Sequence, residues 1–161
     1  CATFCSKIRR NVVISNINHI KYYLNKVYYF VEDGGRVEIV KEKVGIGKYV
    51  VEGTAVYCGK DIHITIGGGE KYHIGAVSVG VPRNEYKDGK KRTATASVIC
   101  VQGHKEDEFA LKAAKKLATA LDCTVSVSVG IHVDDGTLDE IKLLEKNYFE
   151  LVDKFAVLLK K

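Results

Sequence analysis

The chain has 161 residues, 46% of them hydrophobic, and a formal charge of +5, enough material for one well-buried core and a charge that suits an anionic ligand. It has no clustered basic face of the kind that holds nucleic acid, and its longest apolar stretches, such as Val77–Val81, fall far short of the roughly 20 residues of a membrane helix. Five cysteines, odd in number and without a C-x-x-C pair, argue against a disulfide framework or zinc ribbon and for a reduced, cytoplasmic protein.

Residues 1–35 are expected to be an N-terminal extension, and 36–161 the folded domain. Lys7, Arg9 and Arg10 precede a short apolar run, but Asn11, Ser15, Asn16 and Asn18 interrupt it, so a cleaved signal peptide is not expected. Ile17, Ile20, Tyr23, Leu24 and Val27 recur at helical spacing, yet a strand pair fits residues 11–31 equally well. From Arg36 onward, Val37, Ile39 and Val44 alternate with charges. Tyr49–Tyr57 and Asp61–Ile66, separated by Cys58-Gly59-Lys60, then read as antiparallel hairpins.

A glycine loop, Gly67-Gly68-Gly69-Glu70-Lys71, is expected to lead into a strand from His73 to Val81. The basic segment Arg83–Arg92 follows, read as a solvated turn or, if functional, as a seat for an anion or an acidic partner. A strand over Thr93–Val101 comes next. Phe109, Ala113, Leu117 and Leu121 repeat every four residues, which predicts an amphipathic helix over Lys105–Leu121 with its acidic residues in the first turn.

Cys123–Val133 should be a strand with Val125, Val127, Val129 and Ile131 inward. Thr137 and Glu140 have capping-box spacing ahead of an apolar stripe formed by Ile141, Leu144, Tyr148, Leu151, Phe155 and Leu158, which predicts a long closing helix packed on the sheet. The whole reads as α+β, a mixed, mostly antiparallel sheet with two long amphipathic helices on one face. Thr93–Val133 has the length of a right-handed parallel crossover.

Chemistry concentrates in three histidines at strand ends, each beside a glycine: Tyr72-His73-Ile74-Gly75, Gly103-His104-Lys105 and Gly130-Ile131-His132. Imidazole can carry charge, shuttle a proton or bind a metal near neutral pH. If the strands align, the three rings converge. His73, His104 and His132 could then form a three-histidine metal site for a divalent ion such as zinc, with an open position for water. Equally, they could hydrogen-bond a planar heteroaromatic ligand, with Lys105 neutralising its phosphate.

Asp107, Asp134 and Asp135 are placed to orient those rings or to cap helices and turns. Gly67, Gly68 and Gly69 read either as a phosphate-cradling turn or as a plain hairpin, and they lack the Gly-Lys-Ser/Thr ending of a P-loop. His19 and His63, with no neighbouring glycine, read as ordinary.

The motif series Ile66-Gly67-Gly68-Gly69, His73-Ile74-Gly75-Ala76-Val77, Thr95-Ala96-Ser97-Val98, Gly103-His104-Lys105-Glu106-Asp107 and Gly130-Ile131-His132-Val133-Asp134 resembles the LpdD-like prenylated-flavin chaperones over roughly Gly59–Phe155. Two departures from the family pattern are Tyr72, where a proline commonly precedes the histidine, and Ala76, where some members carry aspartate. The resemblance implies a non-catalytic protein that binds reduced prenylated FMN, with plain FMN as the alternative flavin, and delivers it to a UbiD-type decarboxylase. It implies a cofactor site of Gly67, Gly68, Gly69, His73, Ile74, Gly75, His104, Lys105 and His132, and a homo-oligomer without nucleic-acid or membrane partners. The competing expectation is an enzyme, a metal-dependent hydrolase or flavin-modifying catalyst built on the same three histidines.

Overall fold

The computed structural model describes residues 27–32, 35–83 and 92–160. Seven strands form one mixed sheet: β1 (Val27–Glu32), β2 (Gly35–Val44), β3 (Val51–Cys58), β4 (Asp61–Gly69), β5 (Ala76–Arg83), β6 (Thr93–Cys100) and β7 (Val125–His132). Their spatial order is β1-β2-β3-β4-β7-β5-β6, and β4 with β7 is the one parallel neighbour pair among the described strands. Two helices, α1 (Asp107–Leu121) and α2 (Leu138–Leu158), complete the α+β architecture.

Period-two alternation puts Ile62, Ile64 and Ile66 of β4 and Val125, Val127 and Val129 of β7 into the core, while His63 and Thr65 face the other way and stay exposed. Both helices cover that apolar face. α1 lies over β5, β6 and β7, and α2 lies over β2 and β3. The opposite face carries no helix among the described residues and leaves Val79, Val81 and Ile99 exposed.

Small residues set how closely α1 approaches. Ala110, Ala113, Ala114 and Ala118 are fully buried on the helix, and Gly80 of β5 lies against the Ala114 carbonyl, where a Cβ would collide. α2 buries Leu144, Tyr148, Leu151, Val152 and Phe155. The expected stripe departs at its ends, since Ile141 and Leu158 are about half exposed. Tyr148 has no exposed surface, and its hydroxyl donates to the Phe109 carbonyl at 2.9 Å, so burial raises its pKa without leaving the group unpaired.

The capping box is present. The Glu140 amide donates to Thr137 Oγ1 at 3.4 Å, and the Thr137 amide donates to Glu140 Oε2 at 2.9 Å. Glu140 also ties α2 to the short 3₁₀ turn Gly47–Tyr49, receiving Lys48 Nζ at 2.6 Å and the Tyr49 hydroxyl at 2.7 Å. Lys48 first, then the Thr137 amide and Tyr49, hold its carboxyl down to about 2 from an ordinary 4.5. A depressed carboxyl contributes stability that is complete above its unfolded value and lost as pH falls through the folded one. The denaturation midpoint is therefore expected to drop between about pH 5 and 2, and Glu140→Gln should flatten that part of the profile; an identical acid profile in the variant would refute the assignment.

The chain order differs from a simple meander at one place. β7 inserts between β4 and β5, so the segment joining β4 to β5 must cross β7. β6 and β7 both run antiparallel to β5, so α1 connects two parallel strands with β5 between them. β4 extends through Gly69, and β5 begins at Ala76 rather than at His73. The expected glycine loop is thus the end of a strand, and the true connection is Glu70–Gly75. Of the segment read as helix or strand pair, residues 27–31 belong to β1, and the rest lies outside the described residues, as do His19 and most of the basic segment 83–92. Arg92 pairs with Asp122 at 2.9 Å.

Candidate functional site

The crossing segment builds the site. It passes over paired glycines, Gly67 of β4 opposite Gly130 of β7. The Tyr72 ring covers Gly67, with atoms 3.0 Å from where a Cβ would stand, and the His73 carbonyl occupies the space a Gly130 side chain would need. Gly69, at φ +75°, lies equally tight against the His132 carbonyl. Bare Cα atoms at these positions let one strand connection rest directly on another strand.

Hydrogen bonds fasten the crossing at both ends. The Glu70 amide donates to the His132 carbonyl at 2.7 Å, and the Gly75 amide donates to the Val129 carbonyl at 2.8 Å. Lys71 Nζ meets Asp134 at 2.7 Å, while the Asp134 amide donates to Glu70 at 2.9 Å. These links hold His73 beside the C-terminal end of β7.

The three histidines converge. The His73 and His104 rings lie 4.6 Å apart, and those of His73 and His132 lie 6.2 Å apart. His104 arrives from the turn before α1, where Gly103 adopts φ +86°. Glu106 sits at the N-cap of α1 with its side chain 12% exposed, facing both rings: His73 Nε2 is 3.1 Å from Oε1, and His104 Nδ1 is 3.6 Å from Oε2. Asp134 orients the third ring through a 2.9 Å contact with His132 Nε2. Its carboxyl is held below the ordinary range, by Lys71 first and His132 second. Asp107 begins α1, and Asp135 takes a left-handed turn at φ +49°.

Beside the histidines opens a cleft of about 330 Å³ between α1, α2 and the end of β7. Phe109, Ile131, Val133, Ile141 and Leu144 supply apolar lining, with His104, Lys105, Glu106 and His132 also facing it. An apolar hollow with a few convergent polar groups is the usual form of a small-molecule site. It is also shallow, as the side chains of His104 and His132 are 34% and 45% exposed.

The glycines do not present free amides here. Gly67 and Gly68 lie within ladders to β3 and β7, and the Gly69 amide donates to the Val50 carbonyl at 3.0 Å. That corrects the phosphate-cradle expectation; their service is steric. Ile74 is exposed and does not line the cleft, while Gly75 lies beneath the Glu106 carboxylate. Glu106 enters from the sequence only through the motif Gly103-His104-Lys105-Glu106-Asp107, and its place facing both rings was not legible there. Its adjacency to His104 and Lys105 was the available signal, but its contact with His73 spans 33 positions.

The profile of the prenylated flavin chaperone LpdD-like domain family matches residues 45–160. The chain belongs to that family. Within this LpdD-like domain fall all three histidines, Glu106 and the whole cleft. No protein of curated function matches the sequence. Among solved structures, the LpdD-like chain is similar to one from a novel chaperone complex for yeast 20S proteasome assembly, at 11% identity and a TM-score of 0.49, covering 76% of this chain and 94% of that one. No helix among the described residues is long and apolar enough to cross a membrane.

Proposed function

We propose that this protein binds reduced prenylated FMN without transforming it and passes it to a UbiD-type decarboxylase. One observation carries the reading: three imidazoles and Lys105 gather beside a single apolar cleft, in a chain of the prenylated-flavin chaperone family. Phe109, Ile131 and Leu144 offer a surface for a flat ring system. His104 and His132 offer hydrogen-bonding nitrogens at its edge, and Lys105 offers the positive charge that a phosphate needs.

The same geometry favours a carrier over an owner of the flavin. Half-exposed histidines on a shallow cleft enclose a ligand incompletely, so the bound molecule stays within reach of a deeper site on a client enzyme. Transfer then follows from differential affinity alone, with no chemistry on the carrier.

The test is an anaerobic titration with reduced prenylated FMN and with plain FMN. The wild-type protein is expected to bind the prenylated form saturably. His132→Ala should weaken it roughly five- to tenfold, the loss of about one hydrogen bond of 1–1.4 kcal/mol. Mixing the loaded protein with an apo-decarboxylase should raise decarboxylation above that given by free flavin. Absence of binding would remove the cargo; binding without transfer would remove the delivery step.

A further inference from the structure

We propose that His73, His104 and Glu106 form a binding site for a divalent transition-metal ion of the zinc class. The argument begins with proton placement on His73. Its Nδ1 faces the Lys71 carbonyl at 3.3 Å, and a carbonyl oxygen only accepts, so Nδ1 carries the hydrogen. Its Nε2 then presents a lone pair to Glu106 Oε1 at 3.1 Å, which places two acceptors in contact. A positive centre between them resolves the conflict.

A second proton on the ring would satisfy that pair but leave His104 unexplained. His104 Nδ1 stands 3.6 Å from Glu106 Oε2, too far for a hydrogen bond. It is a suitable distance for two ligands of one ion, because a tetrahedron with bonds of 2.0–2.1 Å has edges of about 3.3 Å. His73 Nε2 and His104 Nδ1 approach opposite oxygens of the one carboxylate, at 3.1 and 3.6 Å, and one ligand atom from each of the three residues lies within 4.8 Å of the others.

The surroundings fit as well. A ligating imidazole commonly gives its other N–H to a backbone carbonyl, which is the service Lys71 performs for His73. The Lys105 amide donates to Glu106 Oε2 at 3.0 Å and fixes the carboxylate. Two imidazoles and one carboxylate select zinc and its neighbours over calcium or magnesium, which prefer all-oxygen shells. Three protein ligands leave a coordination position open. His132, whose ring is 6.2 Å from that of His73, and the cleft flank this site.

The inference stands apart from the flavin reading, and its probe is the metal alone. Chelator-stripped protein is titrated with zinc chloride by calorimetry, and with cobalt(II) for its visible absorption. Wild type is expected to take one zinc ion per chain at this site. Glu106→Gln and His73→Ala should each weaken it about 100-fold or more, beyond the 10–100-fold typical of losing an outer partner. His104→Asn, tested with a melting curve to show that the domain is folded, should abolish the cobalt spectrum as well. His63→Ala, which alters a ring bonded to Ser126 Oγ at 2.7 Å on the helix-free face, should bind as wild type does. Absence of zinc binding in the wild type, or binding indifferent to both Glu106→Gln and His73→Ala, would overturn the site and leave His73 and Glu106 as a proton-bridged pair.

Discussion

Gly130→Ala is expected to lower stability by about 1–3 kcal/mol, the usual range for forcing a methyl group into a filled space, and to weaken ligand binding more than tenfold. The new Cβ would collide with the His73 carbonyl, and no side-chain rotation relieves a clash with backbone. The crossing segment must lift from β7. Lifting it moves His73 away from both Glu106 and His104, which are held by α1 and by the turn before it and do not follow. Stability and site geometry should therefore fail together. Gly59 provides the contrast: it takes φ +66° with open space around it, so Gly59→Asn, which tolerates that conformation, should leave ligand binding unchanged. Thermal melts and an anaerobic flavin titration on the two variants decide the matter. A Gly130→Ala protein that binds as tightly as wild type would show that the crossing does not position His73.

The fold was legible where pattern and local chemistry agree. The closing helix could be read because Thr137 and Glu140 mark its start and an apolar residue returns every third or fourth position behind them. The core strands could be read from the alternation of Ile62, Ile64 and Ile66 and of Val125, Val127 and Val129. Strand order was not legible. Nothing local in Val125–His132 says that it enters between β4 and β5, because that choice is made by pairing with residues 45 to 63 positions away.

The glycines were misread for a related reason. A Gly-Gly-Gly run looks the same whether it forms a turn that binds phosphate or clears room for a chain crossing overhead. Only the surroundings distinguish the two: Tyr72 over Gly67, Val50 and Val51 against Gly68, and the His132 carbonyl against Gly69. The convergence of the histidines was legible from their expected places at strand ends, although only His132 ends a strand; His73 lies in the connection into β5 and His104 in the turn before α1, and both meet at the C-terminal end of β7. Glu106 was legible only as part of the motif around His104, because its contact with His73 spans 33 positions.

The largest loss of stability is expected at Phe155→Ala, about 3–5 kcal/mol by the usual cost of emptying an aromatic core position. Phe155 is fully buried on the face of α2 that meets β3, and its ring fills the place where a side chain of Gly53 would stand, 2.7 Å from Cε2. The pair can be tested as a unit. Gly53→Ala alone should destabilise, because the added methyl meets the ring. In a Phe155→Leu background the same change should cost little or become favourable, since the strand gains a residue better suited to it than glycine and the ring is gone. A coupling of about 1 kcal/mol or more between the two positions is expected from denaturant melts. Additive effects would mean that α2 shifts to accommodate either change and that glycine at position 53 is not there for the ring. Coupled effects would show that the absence of a side chain on β3 fixes where α2 lies, and through Ile141 and Leu144 at the other end of the same helix, the wall of the cleft.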